Sequence, residues 1–250
     1  MLKDIIKKNP RMMDIAAYMY NMVHRNNSWR YCLGRNKIKI RKKGAFLNRV
    51  KFEIKGINNT IVLGRKTRLN NCYIVLLGNN CVLEIGGGNT IVSNTQFWLQ
   101  DDNSPIVVGK DFTMEGGHIA STEGEKIVIG NDCMFSNDIE IRNGDSHTII
   151  DITEQRRTNY AQPVVIGNHV WLTAHTRVLK GSRIAHSCII ANSAVVSGIL
   201  EKSNTIYGGL PAKPLKEGID WIDISGNSIF PKIKTRVSFK RYPVFIFICL

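Results

Sequence analysis

The chain has 250 residues, 43% of them apolar, and a formal net charge of +14. That length fits one long domain or two, and there is no apolar run of about 18 residues that would span a bilayer as a helix. Met1–Pro10 lacks the apolar centre of a secretory signal, so a cytoplasmic location is expected, and the six cysteines (Cys32, Cys72, Cys81, Cys133, Cys188, Cys249), with no Cys-x-x-Cys pair, read as small buried thiols rather than disulfides or a metal site.

The charge is uneven. Residues 1–55 carry 15 Lys/Arg against 3 Asp/Glu, a net of +12, and residues 224–250 carry 5 against none. The body between them, residues 56–223, carries 14 against 17, a net of −3. Basic ends on a near-neutral body favour an anionic partner: an acidic polysaccharide, anionic lipid headgroups or nucleic acid. No helix-turn-helix, zinc or RNA-binding signature accompanies them, so nucleic acid is not expected.

In chain order, residues 1–27 read as helical, with Pro10 dividing a short basic piece from Arg11–Arg25. There Met12, Met13, Ile15, Ala16, Met19, Met22 and Val23 make an apolar face. Lys37–Lys43 alternates and reads as an exposed strand with a basic face. Residues 1–43 thus form a basic helical and strand segment.

From about residue 44 the pairs Leu63-Gly, Ile85-Gly, Val108-Gly, Ile129-Gly and Ile166-Gly recur at spacings of 22, 23, 21 and 37. From Ile166 to Glu201 the chain reads in sixes, opened by Ile166, Leu172, Val178, Ile184, Ile190 and Val196. The fifth place is mostly small (Val170, Thr176, Ser182, Cys188, Ala194), with Leu200 the exception. A period of six fits neither a helix nor a simple strand. It fits a triangular coil: three short strands per turn, one aliphatic filling each corner, turns stacked as parallel strands. The expected fold is an all-β left-handed parallel β-helix over residues 44–208, with a C-terminal turn and a basic, apolar tail at 209–250. A clean turn needs 18 residues, so the small excesses read as corner loops and the large one as a single loop at about 144–163. Long loops on a rigid repeat scaffold commonly carry function.

That loop opens Gly-Asp145-Ser-His147 and is followed by Ile-Gly-Asn-His-Val-Trp171; after the hexads comes Gly-Gly-Leu-Pro211-Ala-Lys213. With these motifs, in this order and with this separation of His and Trp, residues 105–221 resemble the hexapeptide-repeat acetyltransferases, and within them the sugar and polysaccharide O-acetyltransferases. Two positions depart from the family pattern: Thr173 stands where Gly is usual, and Leu210 where Asn is usual.

The resemblance implies an acetyl-CoA-dependent O-acetyltransferase acting on a sugar hydroxyl of a bacterial surface polysaccharide or its precursor, without a metal. It implies a homotrimer with sites in the clefts between neighbouring coils. Such a reaction needs a base for the hydroxyl proton and a donor for the oxyanion, and a histidine suits the first at neutral pH. No nucleophile elbow argues for a covalent intermediate. By resemblance His147 is the base, with Asp145 or another carboxylate such as Asp151 orienting it. Trp171, last in its hexad and outward-facing, is a platform for coenzyme or sugar beside the loop. Ala174, Asn192, Ser197, Gly198, Lys213 and Lys216 match the family's coenzyme positions, and Lys180 joins the two lysines as a phosphate partner. Ala174 and Asn192, 18 apart, should stack one turn above the other. His118, His169, His175 and His186 are weaker candidates for a direct role. Two other readings stay open: an amino-sugar or small-molecule acceptor, and a non-catalytic β-helix binding module. The basic termini and the apolar end Pro243–Leu250 allow a peripheral membrane contact, and the acceptor could be polyanionic or lipid-linked.

Overall fold

The computed structural model describes residues 9–24, 26–31 and 39–222. The expectations for residues 1–8, Lys37, Ile38, Cys32, Cys249 and the tail from residue 223 lie outside the described residues.

Three parallel sheets form the sides of a left-handed β-helix of about 7 turns. The first face runs from Ser28–Tyr31 to Val195–Val196, the second from Lys39–Arg41 to Ile199–Leu200, and the third from Phe46–Asn48 to Thr205–Gly208. Lys213–Glu217 closes the third face as an antiparallel edge. Parallel pairing opens at Ser28–Tyr31, upstream of residue 44.

The aliphatic-glycine pairs stack as one column: Leu63 on Ile85, Val108, Ile129, Ile166, Ile184 and finally Leu200. This column explains Leu200. The sixth hexad is cut short, so Leu200, stacked on Ile184, opens the next hexad rather than filling a fifth place. The true fifth-place residues Val170, Thr176, Ser182, Cys188 and Ala194 are fully buried. The two hydroxyls among them are satisfied, Thr176 Oγ1 donating to Thr173 O at 2.6 Å and Ser182 Oγ to Val196 O at 3.0 Å. The small excesses of the early turns do not sit at the corners, as the spacing suggests. They lengthen the strands, which hold three to five residues at 68–70, 73–76 and 95–99 against two in each strand from Trp171 to Leu200. Cys72, Cys81, Cys133 and Cys188 are buried free thiols, and burial pushes Cys133 up to about 12.

Helix α1, Pro10–Val23, caps the N-terminal end of the coil. Pro10 begins this helix, with its missing N–H cost-free in the first turn. The Asn9 side chain caps it, accepting from Arg11 N at 3.0 Å. Met13 and Ala17 are buried toward the coil. The edge of the first turn would otherwise expose unpaired backbone. Asn21 bonds Ala45 O and Leu47 N, Asn27 bonds Leu47 O and Val50 N, and Asn26 bonds Arg49 N, so asparagines stand in for a neighbouring strand.

Candidate active site

The long loop leaves the first face after Ile139–Arg142 and rejoins the coil at Val164–Ile166 on the second. It therefore projects from the corner between those faces. Its base is closed by a backbone bond from Gln162 N to Asn143 O at 2.8 Å. Asn143 is fully buried there, donating to Glu125 O at 2.7 Å and accepting from Thr122 N at 2.8 Å. Gly144 has no room for a side chain, since a Cβ would meet Thr122 Oγ1 at 2.4 Å. Beyond it a short hairpin pairs Ile150–Asp151 with Arg156–Arg157.

Asn159 holds the catalytic candidates in place. It is buried at 6% exposure, donates to Asp145 Oδ2 at 2.9 Å and His147 O at 2.7 Å, and accepts from Ile149 N at 2.7 Å. Asp145 also takes a salt bridge from Lys180. The Lys180 and Asn159 hydrogen bonds hold its carboxyl below the usual 3.8. The ionised anchor is thus complete above that value and is lost only as pH falls below it. Opposite, Arg157 pairs with Glu123, lies over the Tyr160 ring at 4.8 Å, and lowers the Glu123 pKa.

This geometry bears on two expectations. Asp145 makes no hydrogen bond to the His147 imidazole, and its Oδ2 takes both Lys180 and Asn159; Asp151 accepts from Thr153 N and Glu154 N, at 2.9 and 3.0 Å, and caps its own turn. Lys180 is paired with Asp145 in the loop. Asn159, Asn143, Arg157 and Glu123, which position the loop, were not singled out from the sequence. The one available signal was two asparagines bracketing an inserted segment.

All six histidines are among the described residues. His24 bonds Tyr20 O, His118 bonds Glu140, His169 lies between Asp132 and Asp220, His175 bonds Asp138, and His186 accepts from Asn168 N. His169 and His175 are corner residues with φ of 55° and 62°. Only the exposed His147 ring makes no hydrogen bond among the described residues. It is the histidine with both nitrogens available to a substrate. On the first face, burial pushes Glu140 up, but hydrogen bonds from His118 and Arg142 overcome it and its carboxyl lies below the usual range. Arg142 reaches on to Ser146 Oγ at 3.4 Å, tying this cluster to the loop.

Trp171 faces outward and is half-buried, as the hexads require, but it is not beside the loop. It sits on the third face, paired with Met134 and Ile189, and that face lies opposite the corner from which the loop projects. The coenzyme candidates also divide. Ser197 and Gly198 lie at the loop's corner, one turn beyond Lys180. Ala174 and Asn192 stack at the corner between the third and first faces, where Ser193 N bonds Ala174 O at 3.0 Å. Lys213 and Lys216 lie exposed on the closing strand of the third face. Thr173, in the place of the family's glycine, bonds Ile190 O at 2.7 Å.

With Asn159→Ala, four loop bonds go, the fourth from Arg157 Nε to Asn159 Oδ1, while the coil stays intact. We expect kcat to fall at least tenfold with acetyl-CoA affinity nearly unchanged, since small misplacements of a reacting group are costly. Steady-state kinetics against an active acceptor checks this.

No protein-family model matches the chain. It is 33% identical over 186 residues to the polysialic acid O-acetyltransferase of Neisseria meningitidis, covering 66% of this chain and 86% of the relative. It is 29% identical over 118 residues to the polysialic acid O-acetyltransferase of Escherichia coli O1:K1 / APEC, spanning 47% of this chain but only 38% of that one. Among solved structures, the polysialic acid O-acetyltransferase OatWY superposes with a TM-score of 0.69 at 29% identity, over 81% of this chain and 94% of that one. Relatives that are enzymes set aside the reading of the coil as a non-catalytic binding module. The chain belongs to the hexapeptide-repeat acetyltransferase family that includes these proteins, and it is an O-acetyltransferase.

Proposed function

We propose that the protein transfers an acetyl group from acetyl-CoA directly to a hydroxyl of an acidic bacterial polysaccharide, with His147 as general base, in a homotrimer. The unbonded His147 ring on a firmly anchored loop carries the catalytic part of this reading. His147 accepts the hydroxyl proton as the oxygen attacks the thioester carbonyl, and it returns that proton to the departing thiolate. Asp145 acts at one remove, fixing the loop backbone through Asn159 and Lys180. A polyanionic acceptor is favoured by the relatives that act on polysialic acid and by the net charge of +14. Lys213 and Lys216 are the exposed cations suited to the coenzyme phosphates, with Ala174, Asn192, Ser197 and Gly198 along the coil.

The trimer is supported by the separation of His147 from Trp171. A loop at one corner and an indole on the opposite face can share a site when they come from neighbouring coils. The outer column of the second face runs Val62, Glu84, Val107, Val128, Val165, Arg183 and Ile199, and its central run Val107, Val128 and Val165 supplies apolar surface for such a contact.

The test is subunit mixing. His147→Ala and Trp171→Ala, each of low activity alone, are unfolded together and refolded at equal amounts. Random assembly around a threefold axis gives each cleft about a one-in-four chance of intact His147 and Trp171, so about a quarter of wild-type activity should return. Recovery no greater than the mean of the two parents would overturn the shared site.

A further inference from the structure

Helix α1 is apolar on both sides. One side, with Met13 and Ala17, is packed on the coil. The other carries Ile15, Tyr18, Met19 and Met22, at the i, i+3, i+4, i+7 spacing of a single stripe, flanked by Met12 and Val23. Their exposures reach 60% for Ile15, 66% for Tyr18, 61% for Met19 and 79% for Val23. A contiguous apolar stripe of this kind marks a surface that meets something.

The charge around the stripe says what. Arg11 is the one cation on the helix and Asp14 the one acid. Asp14 is neutralised, bonded by Arg65 at 3.0 and 3.2 Å and paired with Lys43 at 3.5 Å. Lys39, Arg41, Lys42 and Lys43 are exposed at the adjoining base of the coil, within the segment whose net charge is +12. A second copy meeting it about a twofold axis would bring the same positive surface against this one. A nucleic acid or an acidic glycan would answer the charge but leave the apolar stripe in water.

We infer that the exposed face of α1 is a membrane-contact surface, lying in the interface of an anionic bilayer with its apolar stripe among the acyl chains and the surrounding lysines and arginines at the headgroups. No helix among the described residues is long and apolar enough to cross a membrane. The contact is peripheral, combining a shallow apolar face with attraction to negative lipid. It does not depend on the acceptor or on the transferase mechanism.

The experiment is co-sedimentation of the full chain with phosphatidylcholine vesicles made with and without phosphatidylglycerol. Wild type should pellet with the anionic vesicles only, and added salt should release it. Ile15→Glu/Met19→Glu, folded to the same unfolding temperature, should lose at least tenfold in vesicle affinity. Ile57→Glu, which adds a charge at an exposed apolar residue away from the helix, should bind as wild type does. No pelleting of wild type at low salt would overturn the inference. So would equal binding by the double variant, which would move the contact to the basic termini. A smaller assembly for the double variant than for wild type, measured by light scattering without vesicles, would also overturn it, because the stripe would then be a contact between copies.

Discussion

His147→Ala should lower kcat by about 10²–10⁴-fold, the usual worth of a positioned general base, with acetyl-CoA affinity and unfolding temperature nearly unchanged. The structure separates these outcomes. The imidazole is exposed and makes no hydrogen bond among the described residues, so truncating it removes no packing and orphans no partner. Exposed substitutions of this kind typically move stability by no more than about 0.5 kcal/mol. The bond that His147 does make, from Asn159 Nδ2 to its backbone carbonyl at 2.7 Å, survives in the variant. A large kinetic loss on a structurally silent change is therefore the signature of chemistry. Thiol release from acetyl-CoA across acidic and neutral polysaccharides measures it, beside a thermal melt and a coenzyme-binding titration. If the variant retains wild-type turnover with a working acceptor, the base lies elsewhere. The next group to test would be His118, whose Glu140–Arg142 cluster reaches the loop at Ser146.

What could be read from the sequence was whatever repeats locally. Ile166 to Val196 spells the coil because each turn imposes the same demand: a large aliphatic at the corner and a small residue beside it. The register from Leu63 to Ile166 was legible for the same reason, through its recurring glycines. Leu200 misled because a shortened turn breaks the count without changing residue type. The early excesses misled because a longer strand and a longer corner have the same length in sequence. Asn21, Asn26 and Asn27 were invisible as substitutes for a strand, since their partners lie 20 to 26 residues away. The Lys180–Asp145 pair was invisible as well, since its two residues lie 35 apart. The motif around His147 named the histidine, and only the fold showed that its neighbouring carboxylate holds the loop rather than the ring.

Phe135→Ala should be the most destabilising single change in the coil, by about 3–5 kcal/mol. Phe135 is 1% exposed and fills the interior on the third face, where its neighbours in the column are Met114 and Leu172. Its ring meets Phe112 edge-on, with centroids 4.9 Å apart and planes at 88°. That arrangement adds about 0.5–1.5 kcal/mol beyond burial. A coil this narrow cannot close over the void, because each turn is pinned by backbone bonds to the turns on either side. For a chain of this size the loss corresponds to roughly 6–20 °C in unfolding temperature. Phe135→Leu, which keeps most of the volume, should cost well under half as much. The position matters for function because Met134–Phe135 is the strand on which Trp171–Leu172 lies. The cavity opens beside Leu172, one turn from the strand that presents the indole. Phe135→Ala should therefore lose activity through Trp171 at temperatures where the coil is still folded, and a red shift of tryptophan emission should accompany the loss. If urea unfolding shows Phe135→Ala as stable as wild type, the third column is not packed as described, and the placement of Trp171 over it fails too.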